Sequence, residues 1–327
     1  MQYLRSASGL WLPVSDEEIA EQAQLARFAT VTFGLYGWLK DTSVKCDQAG
    51  SGVFIAPNLA LTAKHVSEGI LSLDPAFDVL RGHSGPERQY DVGVRAYQVP
   101  FEDQDISWYT RNNWMSKDTD IAVVSIYPDT PMARYILEKK QPQAYFEWQL
   151  EPPPIGATVE MYGYPKSVFE VTAQSEPGHT THSGGIYWVK QQGTVVDIHE
   201  PYRTHGNLTY PCYRLDTAID HGFSGGPVFY DGALVGIVSV GFEAKPEENI
   251  PPDQYVASLW PLALMKCHLD GAWQTFEQLF DLGVIKVRDW NTFRGNVHRE
   301  LCSQCAMRGE KHAYHAVRDG EATYSAA

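Results

Sequence analysis

From residue 16 the apolar positions fall into a helical rhythm. Ser15 stands three positions before Glu18, the spacing of a capping box, and Ile19, Ala20, Ala23, Leu25, Ala26 and Phe28 then recur at helical intervals. The pattern predicts a leading helix over about 16–28. After residue 28 the rhythm shortens. The runs "ATVTFGLYGWL", "GSGVFIAPNLALTA", "YDVGVRAYQV", "DIAVVSIY", "ATVEMYGYP", "IYWVKQQGTVVDI", "CYRLDTAI", "GPVFYDGALVGIVSVGF" and "QYVASLW" are rich in β-branched and aromatic residues and are divided by Gly, Pro, Asn and Asp. Short strands punctuated by turn residues predict an all-β sandwich or barrel rather than alternating strand and helix units. The stretches 67–88, 101–118 and 129–154 are long for hairpin connections and are predicted to be decorating loops. Beyond residue 262, "LALMKCHLDGAWQTFEQLFDLGVI" reads as a helix, a glycine break, and a second helix in which Trp273, Phe276, Leu279 and Phe280 share one face. Three regions result: an N-terminal helical segment at 1–29, a β domain at 30–262, and a helical C-terminal extension at 263–327.

Composition narrows the function classes. A chain of 327 residues that is 43% hydrophobic can fill two packed lobes. Its 26 basic and 40 acidic residues leave a net charge of −14, which disfavours a nucleic-acid partner because phosphate binding needs a basic footprint. No apolar run reaches membrane-spanning length, so no membrane association is expected. The start, "MQYLRSASGLWLPVSDEE", has a broken apolar run followed too soon by Asp16, Glu17 and Glu18 to read as a signal peptide. Cys46, Cys212, Cys267, Cys302 and Cys305 are too scattered for a disulfide framework, and a reducing, cytoplasmic setting is expected.

Candidate chemistry gathers in three segments. A serine hydroxyl attacks a carbonyl only when a base takes its proton and donors stabilise the developing oxyanion. In "GFSGGP", Gly222 can turn its N–H inward beside that of Ser224, and Gly225 and Gly226 admit a substrate backbone. The same hexapeptide also reads as a glycine-rich hairpin. His65 ends "GSGVFIAPNLALTAKH" and Asp120 begins an apolar strand in "TDIAVV". Alone, the histidine could be structural and the aspartate a turn cap.

Together the segments point further. "LTAKHV", "TDIAVV" and "GFSGGPVF" resemble, in order and spacing, the histidine, aspartate and serine motifs of the trypsin-like, chymotrypsin-fold serine proteases. Weaker matches at "GSGVFIAPN", "YGYP", "GTVV" and "LVGIVSVG" extend the likeness over about residues 30–262, and "LDTAIDHGFSGGP" is most similar to bacterial Deg-type domains. The resemblance implies two six-stranded antiparallel β-barrels and an endopeptidase that cleaves a protein or peptide substrate through an acyl-enzyme. It assigns the nucleophile to Ser224, the base to His65, orientation of the base to Asp120, and the oxyanion hole to the N–H groups of Gly222 and Ser224. Ser239, Val240 and Gly241 would form the edge along which substrate adds as a strand. No cofactor is implied for catalysis.

Departures from the family sharpen the picture. Activatable trypsins carry an aspartate before the nucleophile to capture a released N-terminus; this chain has Phe223. Regulation by a protein partner or by loop ordering is the expectation left. Val66 and Asp220 stand where secreted trypsins place cysteines, which again implies an intracellular, bacterial-type enzyme. At the expected pocket floor, Ala218 replaces the aspartate that selects Arg or Lys, so a small or medium apolar P1 side chain is expected, with Asp220 or Glu243 the source of charge if a basic preference exists.

Near the C-terminus, Cys302, Cys305, His312 and His315 are ligand types that zinc prefers, at a spacing tighter than common fingers, and a structural zinc site there competes with a plain tail of reduced cysteines. Two other function classes are open on the sequence: a catalytically silent protease-fold module that binds protein, and a metal-dependent enzyme, for which no open ligand position or base is recognisable.

Overall fold

Local turn chemistry and period-2 burial build the strands of this computed structural model. The structure describes residues 2–5, 11–14, 26–27, 29–39, 44–71, 90–101, 104–140, 146–165, 168–176, 179–185, 187–200, 203, 208–242, 253–269, 272–288, 290 and 293. Two short strands that the sequence pattern does not announce, β1 (Gln2–Arg5) and β2 (Trp11–Val14), pair antiparallel. Of the leading helix, Ala26, Arg27 and Ala29 are helical, and most of the predicted span lies outside the described residues.

Six strands then close the first barrel: β3 (Thr30–Leu39), β4 (Val44–Ala56), β5 (Leu59–Ala63), β6 (Tyr90–Phe101), β7 (Gln104–Met115) and β8 (Ile121–Pro128), ordered β3-β4-β5-β8-β7-β6. Strand β8 shows how one run serves two cores. Successive side chains of a strand point to opposite faces. Val124 and Ile126 accordingly enter the barrel with Phe33, Phe54, Ile106 and Trp108, while Ile121 and Val123 join a second cluster outside it. Strand β7 corrects the loop predicted at 101–118. Ile106 and Trp108 do alternate inward, but a register shift between Thr110 and Asn113 interrupts the period and hides the strand among polar residues.

After a two-residue strand β9 (Glu147–Trp148), the second barrel uses β10 (Thr158–Gly163), β13 (Val189–His199), β14 (Cys212–Leu215), β15 (Pro227–Tyr230), β16 (Ala233–Phe242) and β17 (Asp253–Ser258). All six neighbouring pairs, including β10 with β13, are antiparallel, so the ring closes. The Asp231-Gly232 turn between β15 and β16 has φ of 46° and 73°, the left-handed pair that a two-residue hairpin loop demands. Strand β1 adds to β13 in parallel, and β9 adds to β16. Between β10 and β13 lies a further hairpin, β11 (Val168–Glu176) with β12 (His179–Gly185). The all-β, double-barrel expectation is met.

The extension is helical only in part. Where the sequence suggests a first helix, β18 (Lys266–Leu269) instead pairs antiparallel with β19 (Ala272–Thr275), and the Asp-Gly in the sequence between them is a hairpin signal that outweighs the apolar spacing. A helix follows at Phe276–Asp281, capped by Thr275 and Gln278 in a capping box. Phe276, Leu279 and Phe280 are buried, but Trp273 is 62% exposed and belongs to β19 rather than to their face. Phe276 and Phe280 pack on Trp148 with ring centroids 5.9 and 5.7 Å away. Backbone bonds from Trp148 N–H to Lys286 O (2.7 Å) and from Arg288 N–H to Trp148 O (2.8 Å) stitch the extension to β9. Among the described residues no helix is long and apolar enough to cross a membrane.

Candidate active site

The first barrel positions an imidazole. Strand β5 ends at Ala63, and a helix of residues Lys64–Leu71 begins at once, placing His65 in its first turn. The first N–H groups of a helix have no partner within it. Here the neighbouring strand supplies them: Asp120 O accepts from Lys64 N–H (3.1 Å) and Asp120 Oδ1 from His65 N–H (3.1 Å). The other carboxylate oxygen, Oδ2, lies 2.8 Å from His65 Nδ1. A carboxylate only accepts, so Nδ1 carries a proton, and in the neutral imidazole this leaves the lone pair on Nε2. The His65 side chain is 44% exposed and that of Asp120 only 11%, so a buried carboxylate orients a half-exposed imidazole.

The second barrel positions the serine. Asp220 O accepts from Phe223 N–H at 3.3 Å, and Gly222 sits between them with φ of 98°. Positive φ at the third residue of such a turn marks type II and is open mainly to glycine. Phe223 N–H, Gly225 N–H and Gly226 N–H bond Asp220 O, Val238 O and Phe223 O. Among the described residues, Gly222 N–H and Ser224 N–H have no acceptor, which leaves two neighbouring donors open beside the serine hydroxyl.

Two residues anchor this loop. Phe223 is fully buried in the apolar core of the second barrel with Val159, Met161 and Val228. Ser51, on β4 of the first barrel, donates its hydroxyl to Gly222 O (2.6 Å), accepts from Tyr164 N–H (2.9 Å), and donates its own N–H to Ser224 O (2.7 Å). A packed ring and a bridging hydroxyl thus hold the loop in place.

Ser239 joins the two halves. Its hydroxyl donates to Asp120 Oδ2, and its carbonyl accepts from Ser224 Oγ at 3.1 Å. The single proton of Ser224 therefore points at Ser239 O, not at His65 Nε2. Ser239 and Val240 fall in the register shift of β16 against β17 between Val238 and Gly241, so the ladder does not engage them. Beneath Gly241 a Cβ would stand 2.6 Å from Gln254 Oε1. Gln254 is 2% exposed and its amide donates to Val240 O (3.1 Å) and Tyr255 O (3.0 Å). Ala218 is exposed, and its carbonyl accepts from Gln191 Nε2 at 2.5 Å, while the buried side chain against Gly241 is that of Gln254. Asp220 is half-buried.

Residues 50–237 match the family described as trypsin-like peptidase domain, a span that exceeds half of the chain and holds His65, Asp120 and Ser224. The chain belongs to the trypsin-like peptidase family. Among solved structures, the apo protease domain of MamO from Magnetospirillum magneticum aligns at 14% identity with a TM-score of 0.42, covering 72% of this chain and 93% of that one. The active form of the Rv3671c protease from M. tuberculosis aligns at 15% identity with a TM-score of 0.42, over 77% and 85% of the two chains. Its inactive form aligns at 16% and 0.40, over 77% and 96%. Comparison with the curated proteins gave no match.

Sequence reasoning missed Ser51 and Tyr210, inside the trypsin-like peptidase match, and Gln254, beyond it, as parts of the site. Ser51 lies in the "GSG" that precedes the histidine, so a signal existed; the other two follow no motif. Cys212 and Cys267 are free and offer no rival nucleophile, because burial pushes their thiols up to about 12 and about 11. Cys302, Cys305, His312, His315 and Glu243 lie outside the described residues. Among the described residues no His, Cys, Asp and Glu cluster could hold a metal ion.

Proposed function

We propose that the protein is a serine endopeptidase. The observation that carries this is the chain of contacts from His65 through Asp120 and Ser239 to Ser224. Ser239 O, which the ladder leaves free, is the acceptor a substrate backbone N–H would take when it adds along Ser239, Val240 and Gly241 as a strand. That displaces the Ser224 hydroxyl, which turns to His65 Nε2. Ser224 Oγ then attacks the substrate carbonyl as its proton passes to Nε2, and the oxyanion meets the open N–H groups of Gly222 and Ser224. The intermediate collapses as the same proton goes to the leaving amine, and water, deprotonated by His65, hydrolyses the acyl-enzyme. That Cys212 and Cys267 are free fits a reducing compartment.

A catalytically silent module that binds protein is the second reading, favoured by the Ser224 bond to Ser239 O rather than to His65. A fluorophosphonate probe separates the two. Its expected product is a phosphonyl adduct on the peptide that carries Ser224, lost in Ser224→Ala; a protein that takes up no probe would be the silent module.

Gln254 bears on specificity. Its side chain fills space beneath Gly241, so the pocket for P1 is proposed to take small side chains. A methylene more or less in such a pocket alters discrimination by about 1–3 kcal/mol, which makes the preference graded. A peptide-library cleavage profile is expected to favour small apolar P1 residues, and Gln254→Gly to broaden it toward larger ones. A wild-type profile dominated by Arg or Lys would contradict this and point to Asp220.

A further inference from the structure

The hydroxyl of Ser239 does not act alone. Tyr210, in the segment just ahead of β14, brings its phenol oxygen to 2.6 Å from Ser239 Oγ. Three segments distant in the chain thus meet at one buried point, with Tyr210 9%, Ser239 1% and Asp120 9% exposed. The protons in this chain can be placed by counting. The Asp120 carboxylate can only accept, so the one Ser239 proton lies on the bond to Asp120 Oδ2. Ser239 then has no proton left for Tyr210, and Tyr210 must be the donor. Burial and the charge of Asp120 push the Tyr210 phenol well above its ordinary range, which keeps that proton in place.

We propose that Tyr210 is a positioning residue of this site, acting through Ser239 to hold Asp120 against His65. The inference rests on the serine-peptidase reading. A serine hydroxyl rotates freely unless its lone pairs are engaged. By donating to Ser239 Oγ, Tyr210 bars the Ser239 proton from its own direction and leaves Asp120 Oδ2 as the favourable target. A hydroxyl that accepts a hydrogen bond is also a stronger donor, because bonds in a chain polarise one another. Asp120 Oδ2 is therefore pinned between Ser239 Oγ and His65 Nδ1, and the imidazole keeps the tautomer that leaves Nε2 free. The same Ser239 presents its carbonyl to Ser224, so an error in its position reaches both ends of the site.

The test is a double-mutant cycle of Tyr210→Phe and Ser239→Ala, with thermal melts as a check on folding. It reads the rate of inactivation by a fluorophosphonate ester and the low-field proton resonance of His65 Nδ1–H. Tyr210→Phe is expected to slow inactivation by about three- to tenfold, the effect of one buried neutral hydrogen bond. It should also move the resonance, and in a Ser239→Ala background it should do neither, because residues that act through one another are not additive. Wild-type rate and resonance in Tyr210→Phe would overturn the proposal, as would effects of the two substitutions that simply multiply. A wild-type protein inert to the probe would sink the peptidase reading instead. The resonance would still decide on Tyr210: displaced in Tyr210→Phe it supports the role, unmoved it refutes it.

Discussion

Peptide hydrolysis is expected to vanish in both Ser224→Ala and His65→Ala, with a fall of about 10⁵- to 10⁶-fold, the size known for triad hydrolases as a class. The two losses should be nearly equal and should not multiply in the double variant, because one proton transfer needs both partners. Neither substitution removes much buried apolar surface, since the His65 side chain is 44% exposed and Ser224 is small. The fold should survive. Asp120→Asn is a finer probe. An amide at that position can donate toward Nδ1, which favours the tautomer with its proton on Nε2, the wrong nitrogen, and a fall of about 10⁴-fold is expected. Comparison of purified variants on a casein substrate, with melting curves alongside, checks all three. Cleavage by Ser224→Ala at the wild-type rate would dispose of the nucleophile assignment.

Phe223→Asp is expected to destroy the fold rather than install an activation switch. The ring is fully buried among Val159, Met161, Val195 and Val228. Truncating a buried Phe costs about 3–5 kcal/mol, and an unpaired carboxylate in the same apolar site adds several more. Natural domains hold only about 5–15 kcal/mol in reserve. Phe223→Ala should therefore melt well below wild type, and Phe223→Asp should lack a cooperative transition. Two results would refute this: a Phe223→Asp protein that melts like wild type, or one that gains activity only after its N-terminus is trimmed. By the same reasoning activity is expected not to depend on a newly cut N-terminus, and intact mass spectrometry of active enzyme that finds only a form trimmed to a new apolar N-terminus would refute this.

The motifs and most strands were legible in the sequence because each is local. "LTAKHV", "TDIAVV" and "GFSGGP" carry their chemistry in six residues, and the alternating apolar runs mark strands with turn residues between them. What escaped notice depends on partners far along the chain. Ser51 reaches Gly222 across 171 positions and Ser239 reaches Asp120 across 119, spacings that no local pattern encodes. Gln254 matters only because β16 and β17 set it opposite Gly241. Where local signals conflicted, strand pairing prevailed: β18 and β19 pair antiparallel in residues whose apolar spacing suggests a helix.

The stitching of Trp148 to Lys286 and Arg288 sets an order in time. On the ribosome Ser224 emerges before the residues that cover Trp148 have been made. Phe276, Leu279 and Phe280 supply part of the apolar cluster that includes Tyr162, Phe229 and Ile237 from the second barrel. Contacts of such long separation close late in folding. A half-made chain lacks residues that complete the core of the lobe holding Ser224, and that lobe is expected to finish packing only once synthesis has passed residue 288.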